Sequence, residues 1–331
     1  MSVTFLPKVT IMIPAYNQEG FIEDAVSSAL MQNYPNLEIV VGDDASTDGT
    51  AEIVSKIKDD RLKLIRNPNN LGRTANYRNL LFNHAAGDYV VNLDGDDYYT
   101  DPEFISDAVK LIDGDKNVVI VQACASWKTH KGINISKIPS EHELDGMDIL
   151  KRMPSYEFFF MHMASLYHKN MAIQLDFYRY DVTSSDWESL YRLALHGRVR
   201  FMRKNIGIWR IHGGNETSII DLNKFIQNLS IWTSIYKEAE ECGMTFVKAR
   251  VNTAKCIAFF ASRDIARISL QGNRELVRFV ICLLKHFKLA TSYLFIHPFY
   301  LARLLCSLLG YYRLRCKEVS TSSGDDANNF S

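Results

Sequence analysis

The chain has 331 residues, enough for one large domain or two, and 47% of them are hydrophobic while 23% are charged. This composition excludes the disordered, collagen-like and disulfide-scaffold classes. Lysine plus arginine equals aspartate plus glutamate at 38 each, so no global positive field predicts binding to nucleic acid.

The cysteines and the N-terminal sequence bear on the cellular compartment. The six cysteines form no C-x-x-C pair and no zinc-finger spacing, which predicts free thiols in a reducing cytoplasm. The first residues lack the pattern of a secretion signal, and no run reaches about 18 uninterrupted apolar residues. We therefore expect a cytoplasmic protein, or one that is peripheral on the inner face of the cell membrane if its C-terminal region docks there.

Short apolar runs alternate with helical patterns in the first part of the chain, which is typical of βα units feeding a parallel sheet. Polar turns follow each apolar run. Strands are predicted at 9–13, 37–41, 62–65, 89–93 and 118–125. Helices are predicted at 21–32, 50–58, 74–86 and 102–112.

The second part of the chain changes from α/β to helical patterns. Periodicity fails over 127–156, where we expect little regular structure, and a strand at 157–167, a helix at 187–195 and extended chain at 199–211 are predicted next. Helical patterns then cover 222–239, 245–270 and 275–315, the last interrupted by Pro298. The predicted domains are residues 1–216, the helical residues 217–316 and a disordered tail at 317–331.

An acidic turn, Leu93-Asp94-Gly95-Asp96-Asp97, follows a predicted strand directly. Three carboxylates at the end of an apolar strand are costly unless a cation or solvent compensates them, and ligands of open α/β sheets bind at this end of the strands. Oxygen ligands on a tight turn suit Mg²⁺ or Mn²⁺, which could hold a departing diphosphate. The alternative is an aspartate-rich surface turn.

A second acidic turn follows the second predicted strand at residues 42–49, on the same edge of the sheet. Asp48 and its neighbours could simply cap the next helix. Asp43, directly after the strand, is harder to explain as a cap, and its carboxylate could accept a hydrogen bond from a nucleotide base. The loop after the first strand, at 14–20, contains neither G-x-G-x-x-G nor a phosphate-binding P-loop, which disfavours a dinucleotide fold.

Two blocks of sequence, at 10–50 and 67–99, resemble the inverting glycosyltransferases of family 2. The agreement in spacing and order covers about residues 8–100 and continues more weakly to about 218. The resemblance implies the glycosyltransferase-A fold, which is an α/β fold with a mostly parallel central sheet flanked by helices. It also implies a nucleotide-sugar donor (UDP by family habit), a cofactor cation (Mn²⁺ or Mg²⁺), and a glycan or lipid-linked glycan as acceptor.

The resemblance also assigns roles to residues that follow the first, second and fourth predicted strands, and to one arginine of a predicted helix. In the nucleotide pocket it places Asp43, which contacts the base, its neighbour Asp44, and the residues of the first loop: Pro14, Ala15, Tyr16, Asn17 and Glu19. Arg78 could contact phosphate or brace the acidic turns, or be an exposed helical arginine. Asp94 and Asp96 occupy the D-x-D positions around Gly95, and Asp97 completes the motif beside the metal.

The catalytic base and a further metal residue come from later blocks. Inverting transfer needs a group that takes the proton from the acceptor hydroxyl. The register of the segment 185–197 places Asp186 at the base, with Ser185 where glutamate is usual in the family. Glu188 is the second candidate for the base, and Asp181 is the third. His212, in a block resembling the closing Y-R-x-H motif, could face the metal or the diphosphate; a hydrogen-bonded histidine is the alternative.

The C-terminal region carries eight basic residues and one acidic residue between 274 and 317, interleaved with aromatic residues and leucines. Such helices suit an anionic membrane interface. The alternative is packing on the catalytic domain or on another subunit of a homo-oligomer. A sugar nucleotidyltransferase is disfavoured because the first loop is neither glycine-rich nor basic. A non-catalytic nucleotide-sugar or membrane-binding module stays open beside the enzyme.

Overall fold

The computed structural model describes residues 6–112, 114–129, 132–153, 159–213, 221–269, 273–298, 300–301 and 304–305. The predicted disordered tail at 317–331 lies outside the described residues. The chain divides into two compact units, Met1–Ser218 and Ile219–Ser331.

The first unit is built on a ten-stranded sheet with helices around it. Its strands are β1 (Val9–Ala15), β2 (Leu37–Asp43), β3 (Leu62–Arg66), β4 (Tyr89–Asn92), β5 (Tyr98–Tyr99), β6 (Val118–Thr129), β7 (Gly132–Ile135), β8 (Glu143–Asp145), β9 (Ser165–His168) and β10 (Arg198–Trp209). Its helices are α1 (Ile22–Leu30), α2 (Thr50–Lys56), α3 (Arg73–Asn79), α4 (Phe104–Ile112), α5 (Gly146–Arg152), α6 (Lys169–Gln174) and α7 (Ser185–Ala194).

The order of the main strands is β3-β2-β1-β4-β9-β6-β10-β5, with β7 paired to β6 and β8 to β10. The neighbours β3, β2, β1 and β4 are parallel, and so are β6 and β10. Strand β9 runs antiparallel to β4 and β6, and β5 runs antiparallel to β10. The predicted α/β fold is confirmed, with a mixed sheet whose parallel part bears the predicted βα units.

The first two strands are buried at every position, because helices cover both faces of a parallel sheet. Helix α1 contributes an apolar face that includes Ile22, Ala25 and Val26 to the core under β1. Ala15 of β1 lies opposite Asp43 of β2, and Met12 lies opposite Asn92 of β4. The loops that follow these three strands therefore meet at one edge of the sheet.

The structure differs from the sequence prediction where polar residues form regular elements. The segment predicted to lack structure, 127–156, carries the end of β6, then β7, β8 and α5. Glu143 of β8 bonds to Arg198 and Arg200 of β10, so ion pairs hold a strand that apolar periodicity does not reveal. The predicted strand over 157–167 was wrong in its bounds: residues 159–161 are in neither a helix nor a strand, a 3₁₀ turn covers 162–164, and β9 runs from Ser165 to His168.

One predicted helix also changes its geometry. Helix α3 ends at Asn79 and continues as a π-helical turn over Leu80–His84, so the predicted helix over 74–86 is not a single α-helix. Gly72 precedes α3 with a φ of 89°, a backbone conformation that favours glycine. This glycine lets the chain leave the loop after β3 and enter α3 in a tight turn.

The second unit is helical: α8 (Leu222–Leu229), α9 (Ile231–Glu241), α10 (Phe246–Ser269), α11 (Asn273–His286) and α12 (Lys288–Ile296). Trp232 stacks on Phe260 with ring centroids 5.2 Å apart, and Phe279 and Leu283 of α11 are buried. Among the described helices, none is long and apolar enough to cross a membrane. The four described cysteines, Cys124, Cys242, Cys256 and Cys282, are not in disulfides.

Candidate active site

A cleft of about 370 Å³ lies in the first unit, where the loops after β1, β2 and β4 meet. Six residues that the sequence assigned to the site line it: Pro14, Ala15, Tyr16, Asp44, Asp94 and Asp96. Eight further residues line it: Gln18, Asn70, Gly72, Arg73, Asn76, Tyr77, Thr183 and Trp209. The cleft thus combines two acidic turns, one arginine and three aromatic rings.

The acidic turn after β4 sends its three carboxylates in different directions. Tyr77 donates its hydroxyl hydrogen bond to Asp94 Oδ1 over 2.8 Å, and Asp96 Oδ2 lies 2.9 Å from His212 Nε2. Asp97 is buried and accepts a hydrogen bond from the backbone N–H of Arg210. Burial and the negative charges of Asp96 and Asp94 raise the pKa of Asp97 well above its usual range. Asp97 therefore ties the end of β10 to the turn and does not line the cleft.

The remaining residues of this turn fit a divalent cation. Carboxylate oxygens and an imidazole nitrogen are ligands that Mn²⁺ accepts, and Mg²⁺ commonly takes one or two carboxylates together with substrate phosphates. Within the described residues, Asp94, Asp96 and His212 do not close into a three-ligand cluster. Asp96 and His212 would hold the ion, and the diphosphate would supply further oxygens. The negative charges of Asp94 and Asp96, which lie close to Asp97, would attract such a cation.

His212 is oriented by a ring as well as by a carboxylate. Its imidazole stacks on Phe21 with centroids 4.8 Å apart, and the neighbouring Arg210 lies over Tyr98 at 4.4 Å. These contacts fix the segment after β10 against the acidic turn. The sequence placed His212 beside the metal, and the structure brings it to Asp96.

Asn17 and Glu19 join the loop after β1 to the loop after β2. Asn17 Oδ1 accepts the backbone N–H of Thr47 over 2.8 Å, and Asn17 has a φ of 51°. Glu19 accepts the N–H of Gly49, while its own N–H bonds to Asp48. Neither side chain lines the cleft, so these two residues shape the loops and leave Tyr16, which is 46% exposed, to face the cleft.

The two aspartates of the second acidic turn have separate partners. Asp43 is fully buried, accepts the N–H of Ser46 over 3.3 Å and pairs with Arg66 at 3.4 Å. Asp44 accepts hydrogen bonds from Asn67 Nδ2 and from the N–H groups of Leu71 and Gly72, each at 2.8–2.9 Å. Asp44 thus holds the loop after β3 at the cleft, whereas Asp43 is not among the lining residues.

Arg73 and Arg78 both belong to α3, but they differ in whether they reach the cleft. Arg78 pairs with Asp176, donates to the carbonyl of Phe177 and stacks on Phe82 at 4.2 Å, so the structure does not bring it to the cleft. Arg73 does line the cleft. It donates to the carbonyls of Val182 and Thr183 and lies 5.4 Å from the Tyr77 ring centroid. The sequence analysis missed Arg73, although it lies within the second block, 67–99, that resembles the family.

Gly95 permits a close approach between the first and fourth strand loops. Its N–H bonds to the carbonyl of Pro14 over 3.2 Å, and a Cβ placed there would lie 2.1 Å from Oε1 of Gln18. That oxygen is buried without a hydrogen-bond partner among the described residues, and Gln18 lines the cleft. A side chain at position 95 would therefore displace the side chain of Gln18 into the cleft.

Asp186 is the second residue of α7 and is half-buried. Burial raises the pKa of Asp186, while electrostatic interactions with His162 and Arg73 and a hydrogen bond from the N–H of Trp187 oppose that rise. The negative charge of Asp94 raises it further, so Asp186 lies within electrostatic reach of the acidic turn. A carboxylate with a raised pKa is a stronger proton acceptor than an ordinary aspartate.

The two alternative bases have different surroundings. Glu188 is 1% exposed and pairs with Arg179 at 2.9 Å and with Arg192 at 3.3 Å. A buried carboxylate between two arginines is a structural ion pair. Asp181 is exposed and, like Asp186, is not among the residues that line the cleft. Asp186 interacts electrostatically with Arg73 and Asp94, which line the cleft, and it stays the predicted base.

A buried polar network underlies Asp186 and Tyr77. His162 Nε2 lies 2.8 Å from the hydroxyl of Tyr178, which lies 3.1 Å from that of Tyr167. The His162 ring also packs edge-on against Tyr77 at 5.2 Å. Burial lowers the pKa of His162 to about 4, so its imidazole is neutral at pH 7. The network was not expected from sequence, because its residues are far apart in the chain.

The depressed pKa of His162 predicts a loss of stability in acid. An unfolded histidine titrates near 6.5, so between about 6.5 and 4 the unfolded state binds the proton and the folded state does not. Through this histidine the wild-type protein should lose about 2 kcal/mol of unfolding free energy between pH 7 and pH 4.5. We expect this part of the loss to be absent in His162→Gln. Urea unfolding at both pH values measures it, with the exposed His142→Gln as control. An unchanged pH dependence in His162→Gln would contradict the buried neutral imidazole.

Comparison with known proteins gives one family and several relatives. The model of glycosyl transferase family 2 matches residues 10–175. The chain is 42% identical over 108 residues to the Escherichia coli UDP-Glc:alpha-D-GlcNAc-diphosphoundecaprenol beta-1,3-glucosyltransferase WfaP, covering 33% of this chain and 42% of that protein. It is 30% identical over 210 residues to the Campylobacter jejuni GalNAc(5)-diNAcBac-PP-undecaprenol beta-1,3-glucosyltransferase, covering 60% of this chain and 65% of the relative.

Solved structures share the fold at low sequence identity. Residues 1–349 of S. aureus TarS in complex with UDP-GlcNAc superpose with a TM-score of 0.69 at 18% identity, covering 92% of each chain. The Pyrobaculum calidifontis mannosyltransferase PcManGT with GDP-Man and Mn²⁺ gives a TM-score of 0.55 at 20% identity, covering 93% of this chain and 88% of the other. These likenesses support the glycosyltransferase-A architecture. The matches to the first three curated relatives span 38–65% of their lengths.

Proposed function

The chain belongs to glycosyl transferase family 2, and from that membership we propose that it transfers a sugar, with inversion, from a nucleoside diphosphate sugar to a hydroxyl group of a glycan. The observation that carries this proposal is the cleft in which Asp94 and Asp96 meet the loops after β1 and β2. We assign the second catalytic element, the base, to Asp186, which lies three residues after the cleft-lining Thr183 and whose pKa the negative charge of Asp94 helps to raise.

The chain's own residues account for the steps of transfer. The carboxylate of Asp186 takes the proton of the acceptor hydroxyl as that oxygen bonds to the anomeric carbon. The bond from that carbon to the diphosphate oxygen breaks, and its electron pair leaves with the diphosphate. Arg73, which lines the cleft, complements the negative charge of the leaving group. A bound Mn²⁺ or Mg²⁺ would neutralise part of that charge.

The donor is proposed to be a UDP-sugar. The cleft presents Tyr16, Tyr77 and Trp209, whose rings can pack against a base or a sugar. The TarS structures in complex with UDP-GlcNAc and with UDP support this nucleotide, as does the E. coli relative named for UDP-Glc. Asp43 contributes indirectly by fixing the turn at 43–46 beside the cleft.

The acceptor is proposed to be a lipid-linked glycan of a cell-surface polysaccharide. Two relatives are named for transfer to saccharides on diphosphoundecaprenol or PP-undecaprenol. An enzyme with this acceptor works at a membrane surface, so we place the protein in the cytoplasm, peripheral to the inner face of the membrane.

Helix α11 offers a surface for that membrane contact. Val277, Ile281 and Leu284 are each more than half exposed, and their spacing of four and three residues puts them on one face. The exposed cations Arg274 and Lys285 belong to the same helix. An apolar stripe beside cations suits an anionic bilayer. If a second copy of the chain covers this face instead, the molar mass in solution will be that of a dimer or a larger oligomer.

Thermal unfolding with nucleotides tests the donor site. With UDP and Mn²⁺ at about 100 times the dissociation constant, we expect about 2.7 kcal/mol of added stability and a higher midpoint. GDP, dTDP and CMP serve as comparisons, each with and without Mn²⁺. No metal-dependent shift with any nucleotide in folded protein would contradict the proposal. A shift with UDP but no turnover of UDP-sugars on any lipid-linked acceptor would favour the non-catalytic binding module.

A further inference from the structure

The helical unit contains a second cavity, of about 500 Å³, between α9, α10 and the junction of α11 with α12. Its lining includes four cationic side chains from different elements: Lys237 of α9, Arg250 of α10, Lys285 of α11 and Lys288 of α12. All four are exposed, so they form a rim that solvent and ligands can reach.

The floor of the cavity is apolar. Tyr236, Ala254, Ile257 and Ala290 line it and are each less than 5% exposed. Phe246, which also lines the cavity, is 60% exposed, and Arg250 lies 5.3 Å from its ring centroid. The cavity therefore offers cations above an apolar surface, which is the arrangement that an amphiphilic anion requires.

The rim charges are not neutralised by neighbouring acids. Among the residues that the structure describes, none of Lys237, Arg250, Lys285 and Lys288 forms an ion pair with a carboxylate. Glu240 is the acidic residue that lines the cavity in the described part of the chain. Four like charges around one concavity repel each other, and a bound anion would relieve that repulsion.

We infer that this cavity binds a phosphate or diphosphate group carried on a lipid chain. The lysines and Arg250 would bind the phosphate oxygens, and the apolar floor would take the first carbons of the chain. Two sources share this chemistry: the head group of an anionic phospholipid, and the diphosphate of a polyprenyl carrier. The inference deepens the proposed membrane and lipid-linked acceptor contacts, and its test is independent of sugar transfer.

Binding of farnesyl diphosphate to the full chain is the direct test. We expect saturable binding by calorimetry or by a raised unfolding midpoint, weakened roughly 10- to 30-fold in the double variant Lys285→Gln with Lys288→Gln. The matched control, Lys224→Gln with Lys248→Gln, removes two exposed charges of the same unit away from the cavity. Equal weakening in both double variants would overturn the site, because it would indicate only general surface attraction.

Further ligands separate the sources and the alternatives. Inorganic pyrophosphate that binds as tightly as farnesyl diphosphate would overturn the role of the apolar floor, and no binding of farnesyl diphosphate to folded protein would overturn the site itself. Sedimentation with phosphatidylglycerol vesicles separates the two sources. If the double variant Lys285→Gln with Lys288→Gln sediments less with the vesicles, a phospholipid head group is supported. If the variant weakens only the binding of farnesyl diphosphate, a polyprenyl diphosphate is supported. The UDP and Mn²⁺ midpoint shift, measured on the same samples, reports separately on the proposed function.

Discussion

Replacing Asp186 with asparagine is expected to lower kcat by about 10²- to 10⁴-fold while leaving the fold and UDP binding intact. The amide keeps the shape of the side chain at the start of α7 but cannot accept the proton of the acceptor hydroxyl. Because burial raises the pKa of Asp186, keeping this carboxylate ionised costs the folded protein free energy relative to the unfolded chain. The unfolding midpoint of Asp186→Asn is therefore expected to be equal to or above that of the wild type.

Kinetics at several pH values identify the base. Asp186 acts in its ionised form, and its raised pKa means that kcat falls, as pH is lowered, at a higher pH than for an ordinary aspartate near 3.9. Asp181→Asn is the matched control because Asp181 is exposed. Nearly full activity in Asp186→Asn, or an equal loss in Asp181→Asn, would contradict the assignment. In either case Glu188, despite its two arginine partners, would be tested next.

The sequence predicted the part of the site that follows from strand order. Parallel strands place their carboxyl ends at one edge, so residues directly after β1, β2 and β4 had to lie near one another. Tyr16, Asp44, Asp94 and Asp96 follow from this rule and line the cleft. Side chains that close the cleft from distant segments, such as Thr183 and Trp209, depend on the route of later loops, and a local pattern does not contain that route.

Helix geometry explains why Arg78 and Arg73 do not both reach the cleft. The resemblance to family 2 assigned a role to Arg78, whereas it is Arg73 that lines the cleft. Five residues of an α-helix correspond to a rotation of about 140°, so positions 73 and 78 cannot face the same side. Which of the two faces the cleft is decided by the packing of α3, where Tyr77 reaches Asp94 and Arg78 reaches Asp176.

Asp97 is a second residue whose side-chain direction the sequence motif does not predict. In sequence it is the third member of an acidic cluster, equivalent in kind to Asp94 and Asp96. In the structure the turn N–H of Asp97 bonds to the carbonyl of Asp94, and its side chain points to the backbone of Arg210. A tight turn rotates successive side chains in different directions, so adjacency in sequence does not make three carboxylates one ligand set.

Replacing Asp96 with asparagine is expected to remove most of the metal-dependent stabilisation by UDP and to lower kcat/KM roughly 100-fold or more. Asp96 pairs with His212 at the cleft, and the amide is a weaker ligand with no charge to offset that of a cation. Without metal, the midpoint should not fall, because one of the charges crowding Asp97 is removed. The measurement is the unfolding midpoint with UDP at increasing Mn²⁺ concentrations.

Asp24→Asn is the control for this variant, because Asp24 is an exposed carboxylate that pairs with Arg210 without lining the cleft. It removes the same charge from the neighbourhood of the acidic turn and should leave the Mn²⁺ dependence unchanged. His212→Gln should weaken the Mn²⁺ dependence less than Asp96→Asn, because it removes a neutral ligand instead of a charge. If Asp96→Asn keeps the full metal-dependent shift, the cation does not bind at Asp96, and the role of this residue is to orient His212.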